Sequence, residues 1–254
     1  MINSLDDFKT EYEKIQSMGW IKTHRSGNTG VGKTLEDLLG IPENNLHEPD
    51  FGNYELKAGR AESNSMLTLF TFNPELSEDL RKAFKEDYGL RAGNSFLRIK
   101  YGYASGKYEN DEKVLHTTLS TKDFTDIEKT GLKMKISYDK KNFYLEVNDG
   151  SKPVFWSRKA LEEQFKEKYV GSFVYVRASS KGKGKKEEFQ FKEAYEVCGF
   201  TFKKFISLLE KGDIKIDVRI GQHHRGKNKG KIHDHGTGFR IKISDHKKLF
   251  KEIL

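Results

Sequence analysis

Short segments of strand length, separated by short amphipathic stretches, constrain this chain most. NYELKAG (53–59), SMLTLFTF (65–72), SFLRIKYGY (95–103), HTTLS (116–120), LKMKISYD (132–139) and NFYLEVND (142–149) all read as strands, as do SFVYVRA (172–178), DIKIDVRIG (213–221) and GTGFRIKI (236–243). Between them lie helical patterns. SLDDFKTEYEKIQSMGW (4–20) places Leu5, Phe8, Tyr12 and Ile15 on one face behind a Ser4 cap. TLEDLLGI (34–41) reads as a short helix capped by Thr34, with Glu36 and Asp37 in its first turn. PELSEDLRKAFKEDYG (74–89), SRKALEEQFKEKY (157–169) and TFKKFISLLEKG (201–212) complete the set. Helices and strands that do not alternate strictly indicate a mixed α/β (α+β) fold. SSKGKGKKEE (179–188) reads as a mobile Gly/Lys-rich loop.

Charge is distributed unevenly. The formal net charge is +8, yet residues 1–60 hold ten acids against seven Lys/Arg, or −3. Residues 219–251 hold ten Lys/Arg against two acids, or +8, together with five of the eight histidines. A basic excess confined to one segment points to an anionic partner, nucleic acid above all. The single cysteine, Cys198, leaves no intrachain disulfide and no cysteine-based zinc cluster. No apolar run approaches membrane-spanning length, and the polar first residues resemble no signal peptide, so a cytoplasmic protein without membrane contact is expected.

Gly27, Gly32, Lys33 and Thr34 fit the phosphate-cradling pattern G-x-x-x-x-G-K-[ST]. A nucleotide-binding loop of that kind needs a buried apolar strand before it and a second strand ending in a metal-binding Asp. GWIKTHRS is too polar for the first, and neither SFVYVRAS nor IKIDVRIG ends in an acid. No nucleotide partner is expected. A glycine turn ahead of a helix still offers backbone N–H groups to a phosphate, which makes Asn28, Thr29 and Lys33 candidates for DNA contact.

Asp50, Glu55 and Lys57 form D-x4-E-x-K in PDFGNYELKAGR. On a strand, Glu55 and Lys57 share a face and Leu56 points the other way, into the core. Asp50 precedes a Gly-Asn turn that folds it back beside them. Two carboxylates and a backbone carbonyl make a hard-oxygen site suited to Mg2+, and an adjacent lysine completes equipment for metal-assisted phosphodiester hydrolysis. Alone the pattern also fits an ordinary half-exposed strand. Glu36 adds an acid upstream, although a first-turn acid also suits the helix dipole.

GNTGVGKTLEDLLGI (27–41), PDFGNYELK (49–57) and LTLFTF (67–72) resemble the MvaI/BcnI restriction endonucleases, relatives of the mismatch-repair nickase MutH. LLEKGDIKIDVRIG (208–221) and GKIHDHGTGFRI (230–241) resemble the C-terminal block of the same family, on its MvaI side. The resemblance implies a PD-(D/E)XK nuclease fold, with a catalytic lobe and a recognition lobe clasping duplex DNA. Residues 1–125 would be mainly catalytic and 126–254 mainly recognition. It implies a type II enzyme that cuts a CC-N-GG-type site as a monomer, one strand at a time. Mg2+ would be the cofactor, with Mn2+ substituting and Ca2+ supporting binding without cleavage. A cognate DNA methyltransferase would accompany it. Carried over, Asp50 and Glu55 become metal ligands, Lys57 the catalytic lysine and Glu36 an acid supporting the site. Asp217, Arg219, His223, His233, Asp234, His235 and Arg240 match positions lining the DNA-reading surface, while His224 and Arg225 fall where the pattern is loose.

Read from chemistry, Arg219 and Arg240 on strands suit bidentate contact with guanine, or alternatively phosphate contact. Lys227, Lys229 and Lys231, in the loop between those strands, suit phosphates. The histidines suit hydrogen bonds to DNA better than zinc, given the lack of supporting carboxylates. A MutH-like nickase and a DNA-binding module without catalysis are the alternatives.

Overall fold

A computed structural model describes residues 2–42, 49–61, 66–83, 93–105, 113–169, 172–197, 200–223, 226–242 and 251–252. In chain order the elements are α1 (Leu5–Ser17), β1 (Ile21–Lys22), α2 (Gly30–Leu38), β2 (Tyr54–Arg60), β3 (Met66–Thr71), β4 (Glu75–Leu76), α3 (Glu78–Ala83) and α4 (Gly93–Tyr101). Then follow β5 (Tyr103–Ala104), β6 (Lys113–Leu119), β7 (Thr125–Asp126), β8 (Lys133–Tyr138), β9 (Asn142–Val147), β10 (Val154–Ser157) and α5 (Arg158–Lys168). The last are β11 (Ser172–Lys181), β12 (Glu188–Val197), α6 (Phe202–Glu210), β13 (Ile214–Gln222), β14 (Ile232–Lys242) and β15 (Lys251–Glu252).

Two compact units form, each from separated stretches. The first comprises Met1–Leu67, Phe165–Phe202 and Lys242–Leu254, the second Thr68–Gln164 and Lys203–Ile241. Residues 125 and 126 lie together within the second.

The first unit is built on a sheet ordered β1-β12-β11-β2, with β15 also on β12. β2 and β11 run parallel, Glu55 beside Phe173 and Lys57 beside Tyr175. Side chains therefore alternate. Leu56, Val174, Val176 and Ala178 enter a core with Phe8, Tyr12, Val31 and Leu35 from α1 and α2, while Glu55 and Lys57 emerge on the opposite face. Ser4 caps α1 by accepting from Asp7 N at 3.1 Å, and Phe8, Tyr12 and Ile15 form its buried stripe.

The second unit holds two sheets, β4-β10-β9-β8-β7 and β3-β14-β13-β6-β5. Phe70, Phe205 and Phe239 meet with ring centroids 4.9–5.7 Å apart. Trp156 meets Phe239 edge-on and donates Nε1–H to Phe72 O at 2.9 Å. Ile216, Val218 and Ile220 of β13 face this core, leaving Asp217 and Arg219 on the other side of the strand.

Several local expectations are corrected. SFLRIKYGY is mostly helix: α4 buries Gly93, Asn94, Phe96, Leu97 and Tyr101, and so short an apolar run carries both periods. α2 begins at Gly30, so Thr34 is no cap. It lies buried mid-helix and donates Oγ1–H to Gly30 O at 2.8 Å. Burial of Val31 and Leu35 against the sheet outweighs two glycines' poor helix propensity. β4 occupies Glu75–Leu76 ahead of the short α3, while residues 84–89 of that expected helix lie outside the described residues. Strands β10 and β12 add to those expected. SSKGKGKKEE is a hairpin tip, because β11 and β12 pair as far as Lys181 and Glu188, with Gly182 and Gly184 at positive φ between them.

Gly30 has no room for a side chain, since a Cβ there would sit 2.3 Å from Arg25 O, whereas the first atom a Cβ on Gly32 would meet is Glu36 Oε1 at 3.7 Å. Gly30→Ala should therefore destabilise by about 1–3 kcal/mol and Gly32→Ala should stabilise by up to about 1 kcal/mol, as measured by urea unfolding.

Candidate functional site

The carboxylates converge in the first unit. Glu55 is only 4% exposed. Its Oε1 accepts a short bond from Lys57 Nζ, the i and i+2 positions of a strand putting both on one face. Lys168, the last residue of α5, brings Nζ to 2.9 Å from Glu55 Oε2. That approach is poorly directed for a hydrogen bond, and Oε2 keeps acceptor capacity although it is buried. Asp50 returns to the same place by accepting from Leu56 N through Oδ2 at 2.6 Å.

Asp50 is solvent-exposed as a residue, but packed protein around its carboxyl raises its pKa above the ordinary value. Lost solvation is the main cause and the Glu55 charge the second, opposed by the Leu56 N–H bond and by Lys57 and Lys168. Packing outweighs the outer exposure here, because the buried Glu55 and the bond to Leu56 act on the carboxyl itself. Tyr169 is buried beside Glu55, and its hydroxyl pKa is pushed well up by lost solvation and then by that charge.

Glu36 lies half-buried on α2. Among the described residues no group of three His, Cys, Asp or Glu forms a metal-holding cluster. Lys33 lies within α2, 2.7 Å from Asp37, which also holds His24 Nδ1 at 2.9 Å. Asn28 and Thr29 are exposed in the turn before the helix. Arg60 fixes that turn, donating to Gly27 O at 2.9 Å and pairing through two nitrogens with Glu187 at the β11–β12 tip.

The second candidate surface is the polar face of β6, β13 and β14. Asp217 is its centre, buried to 5% exposure. It accepts from Arg240 Nη1 at 2.5 Å and Thr118 Oγ1 at 2.7 Å, and Arg219 Nε lies 3.5 Å away. Gly238 pairs with Asp217 across the ladder, and its missing side chain leaves room for both arginines. Two guanidiniums are thereby held by one carboxylate.

His223 lies just past the end of β13, outside the strands. β14 starts at Ile232, so His233, Asp234 and His235 lie on the strand. Opposite Arg219 the pairing slips, from Val218 with Thr237 to Ile220 with Asp234, and Gly236 takes a positive φ in that bulge. Asp234 holds the bulge, accepting from Gly236 N at 2.8 Å and from Asn94 Nδ2 at 3.0 Å. Asn94, buried on α4, also accepts from Thr237 Oγ1. The rings of His223 and His233 stack at 4.0 Å, and those of His233 and His235 meet at 3.8 Å. Stacked rings do not converge on one point as zinc ligands do. Burial lowers the pKa of His233, helped by His223. It lowers that of His235 too, helped by His233, Arg219 and His116. Both stay neutral at neutral pH and keep one donor and one acceptor nitrogen. Lys227, Lys229 and Lys231 lie in or beside the short turn between the strands, while His224 and Arg225 lie outside the described residues.

Sequence reasoning missed Lys168, Asn94 and Arg60. Lys168 reads only as a cation at a helix C-terminus, and nothing in the spacing joins it to Glu55, 113 positions away.

A sheet strand that buries a glutamate beside a lysine, with an aspartate folded back onto the same strand, defines a nuclease of the PD-(D/E)XK type. The chain belongs to the MvaI/BcnI restriction endonuclease family, whose sequence profile it matches over residues 9–250. It is a type II site-specific deoxyribonuclease. The solved complex of the restriction endonuclease MvaI with its cognate DNA substrate superposes with a TM-score of 0.83 at 33% identity, covering 100% of this chain and 98% of that one. MvaI in the absence of DNA gives 0.56 at the same identity and coverage. No curated protein matches the chain. No helix among the described residues is long and apolar enough to cross a membrane.

An aspartate with a raised pKa weakens the fold when ionised. Below its unfolded value, near 3.8, the carboxyl is protonated in both states and costs nothing. As pH rises through the higher folded value, the protein loses stability. Asp50→Asn should therefore melt higher than wild type at pH 7 in EDTA, and the gap should close toward pH 3. Equal melting temperatures across that range would contradict the buried-charge account.

Proposed function

We propose that the enzyme cleaves duplex DNA at a short pseudosymmetric site of the CC-N-GG type in a Mg2+-dependent reaction, acting as a monomer that cuts one strand at a time. The observation that carries the reading is Glu55, buried beside Lys57 on β2, with Asp50 folded back onto the same strand through Leu56 N. Restriction endonucleases of this kind generally use divalent metals. The donor set fits one, since the Asp50 carboxyl lies near enough to feel the Glu55 charge and the buried Glu55 Oε2 retains acceptor capacity. Asp50 and Glu55 would hold the ion, with Glu36 as a supporting acid outside the ligand set. Bound there, the cation would polarise the scissile phosphate and acidify a water. Lys57, fixed at the strand surface by Glu55, would contact the phosphate and orient the attacking water.

The first unit serves as the catalytic lobe and the second as the recognition lobe. Duplex DNA is the partner, a reading supported by the structure of MvaI in complex with its own cognate DNA substrate. Arg219 and Arg240, preorganised by Asp217, would read guanines, and the neutral His233 and His235, together with His223 stacked on His233, would hydrogen-bond to base edges. Asp234 acts on the reading face through the bulge it holds. Asn28, Thr29, Lys33, Lys227, Lys229 and Lys231 would meet phosphates. The enzyme works in the cytoplasm beside a methyltransferase that protects the host's own sites.

With purified protein and supercoiled plasmid, Mg2+ should support cutting and EDTA stop it, a nicked form should accumulate transiently, and Lys57→Ala should abolish both cuts. Mapping the ends gives the site. Cutting that requires a second, purified repair protein would favour the MutH-like nickase instead.

Recognition is separable from positioning. In Ca2+, Arg240→Ala should lose about 1–3 kcal/mol on the cognate site and much less on random DNA. Lys229→Ala should weaken both DNAs alike and reduce the salt slope by about one. Equal losses on both DNAs for Arg240→Ala would make that residue a phosphate clamp.

A further inference from the structure

Glu55 is gripped from both sides. Lys57 reaches it along the strand, and Lys168 reaches its other oxygen from the end of α5. The second lysine is not incidentally placed. Phe165 and Tyr169, flanking it on the chain, pack with Phe173 and Phe200 in an aromatic box whose ring centroids lie 4.9–5.9 Å apart. Tyr169 N bonds to Phe165 O at 2.8 Å, continuing the helical turn past Lys168. The Lys168 side chain is only about one-fifth exposed. Asp50 and Glu55 contribute two negative charges, and Lys57 and Lys168 contribute two positive ones.

We propose that Lys168 is a positioning residue that stands in for the divalent cation, holding Glu55 and balancing its charge until metal and DNA arrive together. This rests on Asp50 and Glu55 being the metal ligands. A buried carboxylate without a counter-ion is strongly unfavourable, and Lys168 supplies one. The same ammonium competes with an incoming cation for Glu55 Oε2. It also repels that cation, since its charge acts directly on Asp50 and Glu55. Once displaced, it needs another anion, which a DNA phosphate provides. Metal binding and DNA binding are thereby coupled, each strengthening the other by the same factor. The free enzyme then holds metal weakly, and the complete site assembles only on DNA.

The test is calorimetric titration of Ca2+ into the full-length protein, with and without a bound duplex, for wild type, Lys168→Gln, Lys168→Met, Lys168→Arg and Asp50→Asn. Without DNA, Lys168→Gln and Lys168→Met should bind Ca2+ roughly tenfold more tightly than wild type, because a nearby positive charge is gone. Lys168→Arg should stay near wild type. The gain in Ca2+ affinity that DNA brings to wild type should shrink in the Gln and Met variants. Unchanged or weaker Ca2+ binding in both neutral variants would overturn the proposal, as would failure of both to unfold cooperatively, which would make Lys168 a structural prop. Asp50→Asn separates the two layers. If it binds Ca2+ like wild type, the metal-site assignment itself is wrong. If it loses Ca2+ while the neutral Lys168 variants gain nothing, the assignment stands and only the role of Lys168 falls.

Discussion

The parallel pairing of β2 with β11 is the constraint on which the first unit depends. Seven consecutive residues of β2, Tyr54 to Arg60, are in register with Ser172 to Ala178. That ladder sends Leu56 into the core made by α1 and α2, and it sends Glu55 and Lys57 to the other face. A slip of one residue would bury Lys57 among phenylalanines and expose Leu56. The same ladder makes Glu55 almost inaccessible. A charge so placed persists only when paired, and two lysines from different parts of the chain meet the requirement.

The second unit solves a related problem differently. Arg219 and Arg240 lie on neighbouring strands and would repel each other. Asp217 between them, completed by Thr118, turns repulsion into a shared ion pair. Both guanidiniums lose conformational freedom on folding, so little remains to be lost in a later contact, which is the energetic advantage of preorganisation. The bulge opposite Arg219, held by Asp234 and the buried Asn94, sets where His233 and His235 stand. Asp234 thus shapes this polar face from within the bulge.

Local chemistry made much of this legible in the chain. Asp50, Glu55 and Lys57 could be grouped because a strand's two-residue period and a single turn are short-range rules. The cap of α1 and the apolar stripe behind it followed in the same way, as did the existence of α6. Where two periods competed, the reading failed. SFLRIKYGY folds as a helix because burial of Phe96, Leu97 and Tyr101 settled what an apolar run left open. α2 begins four residues before Thr34 because Val31 had a core to enter.

The family, the mixed α/β class and the D-x4-E-x-K cluster were thus inherent in residue types and near spacings, which act through bonds and turns. Three features arose only on folding: Lys168 beside Glu55, Asp217 between two arginines, and Arg60 between the glycine turn and a hairpin tip. Each joins residues at least 20 positions apart through a sheet ladder or a helix end packed on it, apart from the two-residue step from Asp217 to Arg219 along β13. Their partners follow from strand order and register, and these are set by the sum of burial across the whole core, which no local pattern encodes.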